Sequence, residues 1–174
     1  MIFRKPKIPT RGAGAELYDS AVTQSRAPGL YGPAGAPDTV EGRFELLTLH
    51  VILLIERLKG EGPAAAQSSQ ALFDIYCSNL DGALREMGVG DLTVAKRMRA
   101  LGEAFYGRAR AYRSAFERLP DQSELAAVVQ RTVMAGESAR DPAVLAAYAA
   151  RCRAALAEAD IAAVLSAPPA WPGV

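Results

Sequence analysis

Four features of this 174-residue sequence have residue types that chemistry needs: one histidine (His50), two cysteines (Cys77 and Cys152), two aspartates seven apart (Asp74 and Asp81), and a GVG turn at 88–90. His50 would serve as a base or a ligand. It lies inside the apolar run LLTLHVILLI, 46–55, where a hydrogen-bonded core histidine is the better reading, and no HExxH, G-x-S-x-G or cysteine–histidine arrangement accompanies it. The cysteines are too few and too far apart for a redox pair or zinc knuckle, and read as small buried hydrophobes. Asp74 and Asp81 share a helix face with Arg85, four beyond Asp81, which makes a solvated i,i+4 pair; an acid/base pair with a carboxylate on another helix stays open. The GVGD segment follows a helix, lacks the third glycine of a dinucleotide fingerprint and the GK[ST] of a P-loop, and sets the Asp91 carboxylate at the helix end an anion would need. Catalytic groups, cofactors and metals are therefore not expected.

The elements that must position these residues are helical. Period-two alternation never persists, while helical periodicity and caps recur. Six helices are predicted in one domain, around a hydrophobic central helix. The first covers Gly14 to Arg26, and the linker APGLYGPAGAP, whose prolines and glycines oppose regular structure, follows it. The second begins at a D-x-x-E capping box, Asp38 with Glu41, and runs to Lys59. Being apolar all round, it must be covered by protein on every side, with Leu46, Leu47, Leu49, Ile52, Leu53, Leu54 and Ile55 buried. GEGPAAA then breaks the chain.

The third helix, Ala64 to Met87, carries the stripe Leu72, Tyr76, Leu80, Ala83 and Met87. The fourth, Leu92 to Leu119, carries Val94, Met98, Leu101, Phe105, Ala109, Tyr112, Phe116 and Leu119. Gly88 reads as a left-handed C-terminal cap of the third helix and Asp91 as the N-cap of the fourth, so the two should be antiparallel neighbours. Two more helices are capped by Asp121 with Glu124, and by Asp141 with Pro142 in the first helical position. The expected organisation is a flexible basic N-terminus over 1–13, a helical domain over 14–166, and a flexible proline-rich tail over 167–174 from which Trp171 could dock.

Charge distribution narrows the function. Lys and Arg number 20 against 19 Asp and Glu, a net charge of +1, so no global field attracts nucleic acid or membrane. Locally, residues 91–119 hold seven basic and three acidic side chains, a net of +4. Lys96, Arg99, Arg110 and Arg113 share a face with Glu103, Glu117 and the aromatic Tyr106, while Arg97 and Arg108 flank the apolar stripe. That face suits an anionic or amphipathic partner. The ten-residue apolar run would cover about half of a bilayer's hydrocarbon, so a membrane span is not expected. No apolar segment after the basic start marks a secretory signal, and a reducing cytoplasm is the default compartment.

DTVEGRFELLTLHVILLIERLK, ALFDIYCSNLDGALREMGVGDLTVAKRM and AFYGRARAY, in this order, resemble the ubiquinol-cytochrome c chaperone family, assembly factors for respiratory complex III. The likeness covers about residues 38–113, with LREMGVGD and FYGRARAY its most specific pieces; GEGPAAA departs from it, and little beyond about Leu119 is diagnostic. The resemblance implies an all-helical, non-enzymatic protein acting on newly made cytochrome b, or another complex III subunit, with a small partner protein and near the ribosome. With no long targeting extension, a bacterial version in the cytoplasm at the inner membrane is the inference, in weak peripheral contact with anionic lipid. Motif positions carried over are Gly42, Arg43, Asp74, Asp81, Arg85, Glu86, Gly88, Gly90, Asp91, Lys96, Tyr106, Gly107 and Arg108.

The expected partner-binding set is Arg43, Asp74, Asp81, Arg85, Glu86, Lys96, Arg99, Tyr106, Arg108, Arg110 and Arg113. A ribosome- or RNA-binding adaptor of broader specificity is the alternative, motivated by the Arg-rich face. A carboxylate enzyme in the bundle is the third reading, and it needs a deep pocket around Asp74 or Asp81. Holding a membrane-protein client also requires exposed apolar surface, which the sequence does not locate.

Overall fold

The computed structural model describes residues 11–135 and 140–173. Seven α-helices follow one another among them: α1 Arg11–Ser25, α2 Val40–Leu58, α3 Pro63–Glu86, α4 Asp91–Glu117, α5 Ser123–Arg131, α6 Ala143–Glu158 and the single turn α7 Ile161–Val164. The all-α, single-domain expectation holds, with α7 added to the six helices read from the sequence. The basic segment around Arg4, Lys5 and Lys7 lies outside the described residues.

The centre of the bundle is α2, touched by α1, α3, α4 and α6. Leu46, Leu49, Ile52, Leu53 and Leu54 are fully buried, each contributing about 1.5–3 kcal/mol. Leu47 and Ile55, expected to be buried with them, are only half-buried. The capping box at Asp38 does not form. Thr39 is the N-cap, its Oγ1 accepting from the Gly42 amide at 3.1 Å, and Asp38 turns instead to Arg43 Nε at 2.7 Å. A Cβ on Gly42 would stand 2.1 Å from the Pro37 carbonyl oxygen, so only glycine lets the loop cross the helix start. That loop is irregular but pinned: Leu30 and Ala36 are buried, and Tyr31 donates its hydroxyl to the Ser25 carbonyl at 2.6 Å.

The turn between α3 and α4 forms as the glycine spacing demands. Gly88 has φ 77°, and the amides of Gly88 and Val89 return to the carbonyls of Arg85 and Leu84 at 2.9 and 3.1 Å. Asp91, expected to cap α4, is its first helical residue and makes no cap; its carboxylate bonds Arg85. Phe73 and Tyr76 of α3 meet Phe105 of α4 with ring centroids 5.0 and 5.5 Å apart. The apolar stripe does not stay buried to the turn: Met87 is 68% and Leu92 92% exposed, so the hairpin tip projects beyond the core.

The later helices close the other side. Asp121 accepts from the Ser123 amide, while Glu124 takes the Ser114 hydroxyl, so this capping box also rearranges. Asp141 accepts from the Ala143 amide, and Pro142 stands at the N-cap. Buried Arg57 of α2 donates to the carbonyls of Leu156 (2.6 Å) and Ala159 (2.8 Å), pairing a cation with the orphan acceptors at the end of α6. The proline-rich tail lays Trp171 against α1 and α2: its Nε1 donates to Ser20 Oγ at 2.9 Å and its ring stands edge-on to His50 at 5.0 Å.

Candidate functional site

The apolar opening that the sequence did not locate is a groove of about 470 Å³ where α1, α2, α3 and α4 diverge. Its floor and walls come from Tyr18 and Val22 of α1, Phe44 and Leu47 of α2, Leu80, Leu84 and Met87 near the end of α3, and Leu101 of α4; Arg26, Glu41 and Arg43 stand among them. The groove lies where the end of α1 and the start of α2 meet the last turns of α3, beside the exposed hairpin tip. Here the half-exposure of Leu47 finds its reason. The apolar middle of α2 needs cover on every side, and on this side the described residues do not supply all of it. Arg43 is held by Asp38, and its guanidinium lies 5.9 Å from the Tyr31 ring centre, which fixes a cation at the mouth.

The expected partner-binding residues do not form one patch. Arg108 and Arg113 are engaged by α2: Arg108 grips Glu45 through two donors, Nε–Oε2 being 2.7 Å, and Arg113 grips Glu56 at 2.9 and 2.5 Å. Glu45 is 8% exposed. Each acid's hydrogen bonds favour the charged guanidinium and raise its pKa. These two arginines therefore lock α4 onto α2, although the helical wheel placed Arg113 on the open polar face and Arg108 beside the apolar stripe. Arg85 is shared by Asp81, at 2.5 Å, and Asp91, which ties the two sides of the turn together. Asp74 is exposed and accepts from Gln70 at 2.8 Å, and Glu86 is exposed on the tip. Lys96, Arg99, Tyr106 and Arg110 remain on the open side of α4, with Tyr106 5.9 Å from both Phe73 and Phe105.

Among the described residues no carboxylate centre assembles from Asp74 or Asp81. The hollow beside Asp74 is lined by Ala15, Gln67, Gln70, Ala71, Ile75 and Ser78, with no second acid. Among the described residues no three His, Cys, Asp or Glu side chains gather for a metal. Cys77 and Cys152 are free thiols, and burial raises the pKa of Cys152 to about 11.

His50 is a core residue, as its setting in α2 predicts. Nδ1 lies 2.7 Å from the Leu46 carbonyl and must carry the proton, so Nε2 accepts from the Tyr148 hydroxyl at 2.8 Å; that oxygen accepts in turn from Gln24 Nε2 at 2.8 Å. Burial lowers the pKa of His50 to about 4. The ring is neutral, satisfied and closed off by Trp171.

Among the described residues no helix is long and apolar enough to cross a membrane. The model of a family described as ubiquinol-cytochrome C chaperone matches residues 34–171, well past the 38–113 stretch that carries the motifs. Ubiquinol-cytochrome-c reductase complex assembly factor 1 of Xenopus laevis is 24% identical over 122 residues, 70% of this chain, which thus spans about 60% of that relative's length. The crystal structure of the Cbp3 homolog from Brucella abortus is similar with a TM-score of 0.84 and 34% identity, covering 93% of this chain and 90% of that one.

Proposed function

Since the chain belongs to the ubiquinol-cytochrome c chaperone family, we propose that it is an assembly chaperone for ubiquinol-cytochrome c reductase, and that it holds newly made cytochrome b through the groove between α1, α2, α3 and α4. It works as a binder, not a catalyst, in the cytoplasm at the face of the inner membrane.

The observation that carries this reading is the coincidence of an apolar groove with charged side chains at its mouth. A membrane-protein segment caught before insertion presents apolar side chains with charged flanks, and it needs an apolar trough with polar edges. Tyr18, Phe44, Leu47, Leu84 and Leu101 offer the first, and Arg26 and Arg43 the second. Each leucine-sized side chain that the groove takes from water is worth about 1.5–3 kcal/mol. A few such contacts suffice for reversible capture. His50 is sealed in the core and Asp74 and Asp81 are solvated, which leaves the surface to carry the activity.

Deletion of the gene should lower cytochrome b level and quinol–cytochrome c activity, and unchanged values would overturn the reading. Complementation with Leu84→Asp places a charge in the groove at a half-exposed position. It should weaken client capture by at least about tenfold, equivalent to about 1.4 kcal/mol, while the helix content of the variant stays unchanged.

A further inference from the structure

The open side of α4 forms a second surface. Leu92, Lys96, Arg99, Tyr106 and Arg110 recur at steps of four, three, seven and four, so they lie along one line of the helix, away from buried Val94, Phe105 and Tyr112. Leu92 is 92% exposed and Tyr106 61%. The helix between them is about 21 Å long. Lys96, Arg99 and Arg110 enter no ion pair among the described residues, and Glu103 is the only acid on the line between its two ends.

We propose that this face docks the protein onto an anionic lipid bilayer, with α4 lying in the plane of the headgroups. The cations meet lipid phosphates, Leu92 reaches the acyl boundary, and Tyr106 sits at headgroup depth, where an amphipathic ring is favoured. Charge complementarity points to an anionic surface, and Leu92 selects lipid over nucleic acid, because a phosphodiester backbone gives an aliphatic side chain little to bury against. Leu101, which lines the groove, is half a turn round α4 from Leu92, so the groove stays free when the face is occupied. The proposal stands apart from the chaperone reading, since purified protein and lipid suffice to test it.

Full-length protein is sedimented with phosphatidylcholine vesicles, with and without phosphatidylglycerol, over a range of salt. Binding should require phosphatidylglycerol and weaken as salt rises. Near an anionic surface each cation is worth about a fivefold change in partition coefficient, so the triple variant K96E/R99E/R110E should lose at least about a hundredfold. Leu92→Asn should lose severalfold at unchanged charge. All four positions are exposed, so unchanged circular dichroism keeps a loss attributable to the surface. Equal binding to neutral vesicles, full binding by the triple variant, or an indifferent Leu92→Asn would each overturn the proposal. So would structured RNA that displaces the vesicles and binds independently of Leu92, which would mark a nucleic-acid face.

Discussion

His50 shows at the residue scale how a potentially reactive side chain becomes structural. Its two nitrogens are committed to Leu46 and Tyr148, and burial holds its pKa at about 4 against 6.5 in an open chain. Between these values the unfolded chain binds a proton that the folded one refuses. Stability is therefore full above about pH 6.5 and falls by about 3 kcal/mol as the pH drops toward 4, below which this contribution is flat. Urea unfolding midpoints across that range should show the decline. His50→Gln should be less stable at neutral pH and should lose this part of the slope. The core role was legible because His50 stands within an apolar run; its partner was not, since nothing local to α2 indicates Tyr148, 98 residues away. Gly42 is a second tight position. With the Pro37 carbonyl oxygen where a Cβ would go, Gly42→Ala should cost about 1–3 kcal/mol, measured by chemical denaturation.

Helix periodicity and glycine turns resolved the elements to within a few residues, and the caps were less predictable because neighbouring polar groups compete for the same amides. Thr39 displaces Asp38 once Asp38 has Arg43 to bind, and Asp91 gives up its cap for Arg85. The charged face of α4 shows a different limit. A helical wheel places Arg113 outside and Arg108 at the border, yet a guanidinium on a long stem can swing to an acid on the adjacent helix. Glu45 and Glu56 of α2 sit where that reach ends. Arg108→Met would leave the nearly buried Glu45 carboxylate without its partner, at an expected cost of about 3 kcal/mol. Adding Glu45→Gln should recover much of that, so a double-mutant cycle would show strong coupling. The same substitutions leave Lys96, Arg99 and Arg110 in place, so vesicle binding by folded protein should not change.

The whole molecule is a bundle arranged around one over-apolar helix that the described residues cover incompletely. The demand for cover was visible in the sequence of α2. The place where cover fails was not, because it depends on how the ends of α1 and α3 and the start of α2 meet in three dimensions. The opposite side of the bundle is closed by the tail. Trp171→Ala should remove the ring from His50 and the hydrogen bond to Ser20, lowering stability by about 2 kcal/mol and speeding proteolysis of the segment after α7.

Trp171 and Ser20 are 151 positions apart, and Gln24 and Tyr148 are 124 apart. Contacts of such separation form only after long loops close, which slows folding. During synthesis α1 and α2 emerge well before the residues that seal them, and their apolar surfaces must wait for the C-terminal third of the polypeptide. A member of a chaperone family thus passes through an exposed adolescence of its own, and truncated translation products should be prone to aggregation.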